Sequence, residues 1–287
     1  MITDFANADH VAAATAILKG LAAHPPNRPG FLVHTSGTGS LLFTDIRSGT
    51  FGEASEKIYD DLEGVKELTS LPDDAPHVHV DRIVLNASTE HGDHVKTAVV
   101  APPCIYGQGR GPANQTSHQV PALCKATLQR GKGVQVGKGK TYWPNVHVHD
   151  LSQLYLLLVE EAAAGGSTAE WNDKPAVWGS EGYYFCENGE HVWGEVSKAV
   201  AVEAKKQGLI KTEEVDSLTK EEADGYSPWG SALWGANSRA RAKRASAALR
   251  WKPTAAKLED TISETLQEQA KLSGNIPGHA KIAAGDA

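Results

Sequence analysis

Two short, almost unbroken apolar runs constrain this chain most: Phe31-Leu32-Val33-His34-Thr35-Ser36 and Lys96-Thr97-Ala98-Val99-Val100-Ala101. A strand with one wet face alternates apolar and polar residues, whereas these runs require cover on both faces, as in a parallel sheet. A helical pattern of Ala, Ile and Leu from Val11 to Ala23 precedes the first run and is closed by His24-Pro25-Pro26. An apolar periodic stretch from Val80 to Ala87 precedes the second, which Pro102-Pro103 stops. Strands alternating with helices of this length predict an α/β fold, a doubly wound parallel sheet with helices on both faces. Asp150 is placed to cap a helix from Leu151 to Ala163, which Gly165-Gly166 ends. Glycine spacing and a helical turn set around Pro121 to Arg130 mark residues 107–145 as an excursion from the sheet. Past Tyr183-Tyr184-Phe185, helices are expected over His191 to Gln207, Ser238 to Arg250 and Thr254 to Leu272. The expected division is therefore a sheet core of residues 1–106 with 146–190, a smaller helical lobe of 107–145 with 191–272, and a flexible tail, 273–287.

The 287 residues carry 28 Lys+Arg against 35 Asp+Glu, a net charge of −7. That balance argues against nonspecific nucleic-acid binding, which needs a basic docking face. Apolar stretches such as Leu154 to Val159 are far shorter than the ~20 residues of a membrane span, and Asp4 stands where a signal peptide carries positive charge. No membrane role and a cytoplasmic location are expected. The three cysteines, Cys104, Cys124 and Cys186, are too few and too scattered for a disulfide framework.

Several Gly-x-Gly pairs occur, yet none forms the Gly-x-Gly-x-x-Gly turn between strand and helix that cradles a dinucleotide pyrophosphate. His147-Val148-His149-Asp150 could offer two imidazoles and a carboxylate to zinc, but no third ligand follows from the spacing and we assign no metal. Arg239, Arg241, Lys243 and Arg244 read as a solvated helix face. His77 and Asp81 stand four apart, sharing one face if helical, either as an acid/base pair or as an ordinary exposed pair.

The run Phe31 to Gly39, then Thr97-Ala98-Val99-Val100-Ala101-Pro102-Pro103-Cys104-Ile105-Tyr106-Gly107, resembles extended short-chain dehydrogenases/reductases, specifically fungal proteins similar to nucleoside-diphosphate-sugar epimerases. Asn145-Val146-His147-Val148-His149-Asp150-Leu151 resembles the segment leading into that family's last Rossmann helix, and Asn237 to Pro253 its C-terminal helix and turn. The resemblance implies a Rossmann-like fold, NAD or NADP as cofactor in the complete family form, and a small-molecule substrate. It implies Ala6, Asn7, Thr35, Ser36, Cys104 and Ile105 beside the cofactor. Because ligands of open α/β sheets bind beyond the strand ends, a pocket is expected where Ser36, Thr38, Cys104, Ile105 and Tyr106 converge, roofed by Trp143 and Asn145, with Tyr106, Trp143, Asn145 and His147 toward substrate. The catalytic Ser/Thr falls within Ser36-Gly37-Thr38, where Gly37 itself can occupy its place.

Two departures accompany the resemblance. The family's first three strands, with their Gly-rich turn, are expected ahead of Met1, so the chain reads as beginning at strand four. On that reading an open sheet edge invites oligomerisation, and this chain binds little or no dinucleotide. Where the family carries Tyr-x-x-x-Lys stand His77 and Asp81. Three functions follow: an NAD(P)-dependent epimerase, dehydratase or reductase using Ser36 or Thr38 with His77; a non-catalytic dinucleotide-sensing module like the nitrogen-metabolite-repression regulators (NmrA-like proteins); or a non-redox enzyme with His77 and Asp81 as acid and base.

Overall fold

The computed structural model describes residues 1–166, 174–274 and 276. Its central sheet has four parallel strands in the spatial order Ile2–Asp4, Gly30–Thr35, Val95–Ala101, Tyr183–Phe185. The two apolar runs are its central pair. Their side chains divide by period two between the faces. Leu32, Val99 and Ala101 pack with Ala14, Leu18 and Leu21 of the helix Val11–Ala22 and with Val78, Val84 and Leu85 of the helix Val78–Glu90. Phe31, Val33, Ala98 and Val100 pack against Leu151, Leu154, Tyr155 and Leu158 of the helix Val148–Ala163. The sheet is therefore doubly wound, as the apolar runs demanded.

A third apolar cluster lies in the excursion. Trp143, Trp193 and Trp234 meet Leu123 from the helix Gln119–Arg130 and Leu258, Ile262 and Leu266 from the helix Leu258–Leu272. Short sheets tie the segments together: Cys104–Tyr106 runs parallel to Tyr142–His147, which pairs antiparallel with Glu190–Val192. Gly133–Val136 runs parallel to Val215–Leu218.

Several local expectations change. The helix expected from Leu151 begins at Val148, because His147 caps it by accepting the His149 N–H at 3.1 Å. The Asp150 carboxylate instead receives the Thr254 and Ala255 N–H groups at 2.9 and 3.1 Å, holding the C-terminal segment. The helix expected over Ser238 to Arg250 is confined to Arg244–Leu249, since Ala240–Arg241 is a strand paired with Tyr59–Asp60. The supposed basic helix face therefore does not exist. Arg239 pairs with Glu190 at 2.9 Å, and Arg244 is buried beside Asp61. Likewise the helix expected from His191 starts at Trp193, and the one expected from Thr254 starts at Leu258. The tail expected at 273–287 lies outside the described residues except for 273, 274 and 276.

Candidate functional site

Ligands of open α/β sheets bind beyond the carboxyl ends of the strands, and here those ends gather the polar side chains. Ser36 follows the second strand, and its backbone N–H bonds to the Val100 carbonyl at 2.8 Å, pinning it beside the third. Its hydroxyl donates to Asp81 Oδ2 at 2.8 Å, with both residues buried. Burial pushes the Asp81 carboxyl up to about 7, with the nearby Asp9 charge adding to the rise and the Ser36 hydroxyl opposing it. Asp81 Oδ1 is buried without a protein partner, and the Tyr183 hydroxyl lies close to Asp81 beside Ser36 and Ser40.

His77 and Asp81 do not act as a helical pair. His77 holds the N-cap position of the helix Val78–Glu90 in the left-handed region, φ 68°, with no side-chain cap bond. Its Nδ1 donates to Asp9 Oδ1 at 2.9 Å. Its Nε2 lies over the loop from Gly37 to Gly39: side chains there would put a Cβ 3.5 Å from it at Gly37 and 3.1 Å at Gly39. His77 is partly exposed, unlike Asp81. Beside this pair, His34 Nδ1 donates to Asp4 Oδ2 at 3.1 Å, and burial lowers the pKa of the imidazole despite that carboxylate.

The turn between the first strand and first helix brings Ala6 and Asn7 to the same end. Its polar groups bond locally: the Ala6 N–H to Asp4 Oδ1 at 3.0 Å, and the Asp9 N–H to Asn7 Oδ1 at 2.9 Å. Thr35 hydrogen-bonds Tyr155 at 2.6 Å, and the Tyr155 ring meets exposed Phe5 with centroids 4.7 Å apart. Thr38 is buried, its N–H on the Pro102 carbonyl at 3.0 Å.

From Pro102 the chain enters the wall of a 440 Å³ cleft, whose apolar side is Pro103, Ile105, Val148 and Leu233. Ile105 is thus the candidate from its strand that faces open space. Cys104 and Tyr106 are packed in the core, the Tyr106 hydroxyl donating to the Ala256 carbonyl at 2.7 Å. Trp143 is also core, its indole N–H on the Ala236 carbonyl at 2.8 Å. Asn145 is buried and hydrogen-bonds His191 at 3.0 Å. His147 is buried edge-on to Tyr106, with His149 close by. Among the described residues no three His, Cys, Asp or Glu side chains group as a metal site. No described helix is long and apolar enough to cross a membrane.

Asp9 is the site residue that the sequence reading passed over. It lies inside the turn Ala6 to His10, but nothing in its spacing from His77, 68 residues away, announces the contact.

The parallel sheet, its helical cover and its polar carboxyl end define a Rossmann-like α/β protein. A model of the NAD dependent epimerase/dehydratase family matches residues 51–172. The oxidase ucsJ of Acremonium sp is 36% identical over 274 residues, covering 96% of this chain and 79% of that protein. Among solved structures, dTDP-glucose 4,6-dehydratase from Bacillus anthracis in complex with NAD aligns with a TM-score of 0.60 at 16% identity, over 94% of this chain and 72% of that one. UDP-glucose 4-epimerase from Thermotoga maritima with UDP-glucose aligns with a TM-score of 0.55 at 14% identity, over 92% and 70%. The chain belongs to the NAD-dependent epimerase/dehydratase family.

The family implies a nicotinamide dinucleotide at these strand ends. Asp81, which the resemblance sets at the lysine position of Tyr-x-x-x-Lys, is buried and bonded to Ser36, so it does not fit an ammonium hold on that group. A carboxyl group in that position offers no cation to a ribose or to a tyrosine.

Proposed function

We propose that this chain is an oxidoreductase-like member of the family in which His77, aligned by Asp9, handles the proton that tyrosine handles in Tyr-x-x-x-Lys enzymes. The supporting observation is the Asp9–His77 pair: with Nδ1 donating to a carboxylate, Nε2 is left to accept or donate a proton over the Gly37–Gly39 loop. Asp81 and Ser36 are then buried supports of that loop rather than the acid and base themselves. Ala6, Asn7, Thr35, Ser36 and Ile105 remain the proposed contacts of a dinucleotide, with Cys104 contributing backbone only. The substrate-facing set narrows from Tyr106, Trp143, Asn145 and His147 to the rim of the cleft beside His147 and Ile105.

The buried Asp81 favours a second reading, a module that binds a dinucleotide without turning it over. One experiment separates the two. The protein is given NAD or NADP with a panel of secondary alcohols and ketones, and reduced nicotinamide is followed by absorbance while calorimetry follows binding. The first reading expects turnover that His77→Asn lowers by about 10²–10⁴-fold, with a smaller loss in Asp9→Asn. Unchanged turnover in His77→Asn refutes the role of the imidazole. Dinucleotide binding with no turnover of any pair supports the sensing module.

A further inference from the structure

We propose that the cleft beside Ile105 takes an uncharged, largely apolar molecule carrying hydroxyl or carbonyl groups, and that it excludes nucleoside-diphosphate sugars. The inference rests on the same site as the reading above and adds its ligand class.

The cleft offers 440 Å³, a volume suited to a small molecule. One wall is apolar: Pro103, Ile105, Val148 and Leu233. The other is the segment Asn114 to Gln119, whose side chains are amides, hydroxyls and one imidazole, with no Lys or Arg. Several of those amides are already engaged within the protein: Asn114 Nδ2 donates to the Thr116 carbonyl at 3.1 Å, Gln115 Nε2 to the Gly111 carbonyl at 2.7 Å, and Gln119 Nε2 to the Leu233 carbonyl at 3.1 Å. The wall is thus held by its own bonds.

The cleft shares Gly107, Thr116 and Ser117 with a second cavity of 250 Å³. That cavity carries Glu264 and Glu268 against a single cation, Lys271, and Thr116 donates to Glu268 at 2.8 Å. The adjoining space is therefore net negative. Arg110, the cation on the intervening loop, is exposed and lines neither cavity, though its charge reaches His147 behind Gly107.

A diphosphate is recognised through charge-assisted hydrogen bonds, from guanidinium forks or ammonium groups that replace lost water. Moving it into a cleft with an apolar wall, no lining Lys or Arg, and two carboxylates against one lysine next door leaves most of its charge uncompensated. A neutral molecule meets no such penalty: its carbon skeleton lies on Ile105, Val148 and Leu233, and its oxygens meet hydroxyl and amide groups.

The test is equilibrium binding to the whole chain, with 2-naphthol as the neutral probe and UDP-glucose as the charged one. Fluorescence is read for the first and calorimetry for both. The expected result is saturable 2-naphthol binding that weakens at least tenfold in Leu233→Asp, with no UDP-glucose binding to millimolar concentration. Gln115→Arg, an exposed substitution on the rim, is expected to raise UDP-glucose affinity measurably. Turnover is read in His77→Asn and 2-naphthol binding in Leu233→Asp, so failure of the proton-handling role and failure of the cleft proposal are distinguished. Micromolar UDP-glucose binding to the unaltered chain, or 2-naphthol binding indifferent to Leu233→Asp in a protein of unchanged melt, overturns the proposal.

Discussion

Replacing Asp81 by Asn is expected to stabilise the protein, and only above a definite pH. Asp81 is buried in both oxygens' surroundings, has one hydroxyl partner at 2.8 Å, and has its carboxyl pushed from 3.8 to about 7. Below pH 3.8 the group is protonated in the folded and the unfolded chain alike, and it contributes no pH dependence. Between 3.8 and about 7 the unfolded chain releases a proton that the folded chain keeps, so rising pH favours unfolding. Above about 7 both states are ionised and the loss is complete. At about 1.4 kcal/mol per pH unit, the difference between 3.8 and about 7 comes to roughly 4 kcal/mol against the folded state.

Asn keeps an acceptor for the Ser36 hydroxyl and has no charge to bury. Asp81→Asn is therefore expected to match the parent near pH 4 and to exceed it by up to roughly 4 kcal/mol at about pH 8, a gain of ~8 °C or more in melting temperature at about 2–4 °C per kcal/mol. Denaturant unfolding of both proteins, followed by tryptophan fluorescence across that range, measures the difference. Other groups titrate in the same window, including Asp61, which burial raises to about 6. They cancel on subtraction because they are common to both proteins. A difference between the two proteins that is flat with pH would refute the argument, since it would mean that Asp81 ionises at the same pH whether folded or not.

Removing the Asp61 side chain should act in the opposite direction. Its carboxylate accepts the N–H groups of Lys243, Arg244 and Phe185 at 2.7, 2.9 and 2.9 Å, and it faces a buried guanidinium, so Asp61→Ala is expected to cost about 3–5 kcal/mol by denaturant titration; a cost under 1 kcal/mol would refute it. Gly107 sits at φ 83° with a Cβ position 2.3 Å from His147 Nε2, so Gly107→Ala is expected to lose at least about 1–3 kcal/mol and to perturb the cleft; an unchanged melt and unchanged 2-naphthol binding would count against that geometry. The strand Ile2–Asp4 is paired on one side only among the described residues, next to exposed Met1, Ile2 and Phe5. Sedimentation of the 287-residue polypeptide at micromolar concentration is expected to show association, and a monodisperse monomer would refute it.

What the sequence disclosed was whatever burial alone enforces. Gly30–Thr35 and Val95–Ala101 were legible because a strand covered on both faces must be apolar at nearly every position, and their order fixes a parallel sheet. Polar partners were not legible. Asp150 has the credentials of a helix cap, but its carboxylate is committed to Thr254 and Ala255, 104 and 105 residues onward. His77 and Asp81 are spaced as helical neighbours, yet His77, at a left-handed position just before the helix, bonds to Asp9, and Asp81 bonds to Ser36. The Arg239 to Arg244 cluster looked like a solvated face because each charge was counted without its partner. Glu190, Asp60 and Glu63 come from distant segments and cannot be seen from inside the cluster. The strand ends thus indicated where the candidate residues gather, while their hydrogen bonds depended on tertiary contacts.

Gly37, His77 and Asp81 are physically coupled, and this bears on what the proposed site can be turned into. The imidazole occupies space that a side chain at Gly39 would crowd, with its Nε2 at 3.1 Å from that Cβ position, and at 3.5 Å from the one at Gly37. A glycine loop and a ring reaching over it therefore go together. Asp81 is held in a pocket of hydroxyl groups, Ser36, Ser40 and Tyr183, which suits a protonated carboxyl or a carboxylate with one donor. A lysine there would bury an ammonium among groups with no carboxylate directly bonded to it, a costly arrangement. Installing tyrosine at 77 and lysine at 81 would thus displace the ring from its Asp9 contact and strand a charge, without placing a hydroxyl at 37. Chemistry of the Tyr-Lys type is separated from this chain by several simultaneous changes, whereas proton transfer at Nε2 needs none. That asymmetry supports the proposal that gives His77 the reactive role and Asp81 a supporting one.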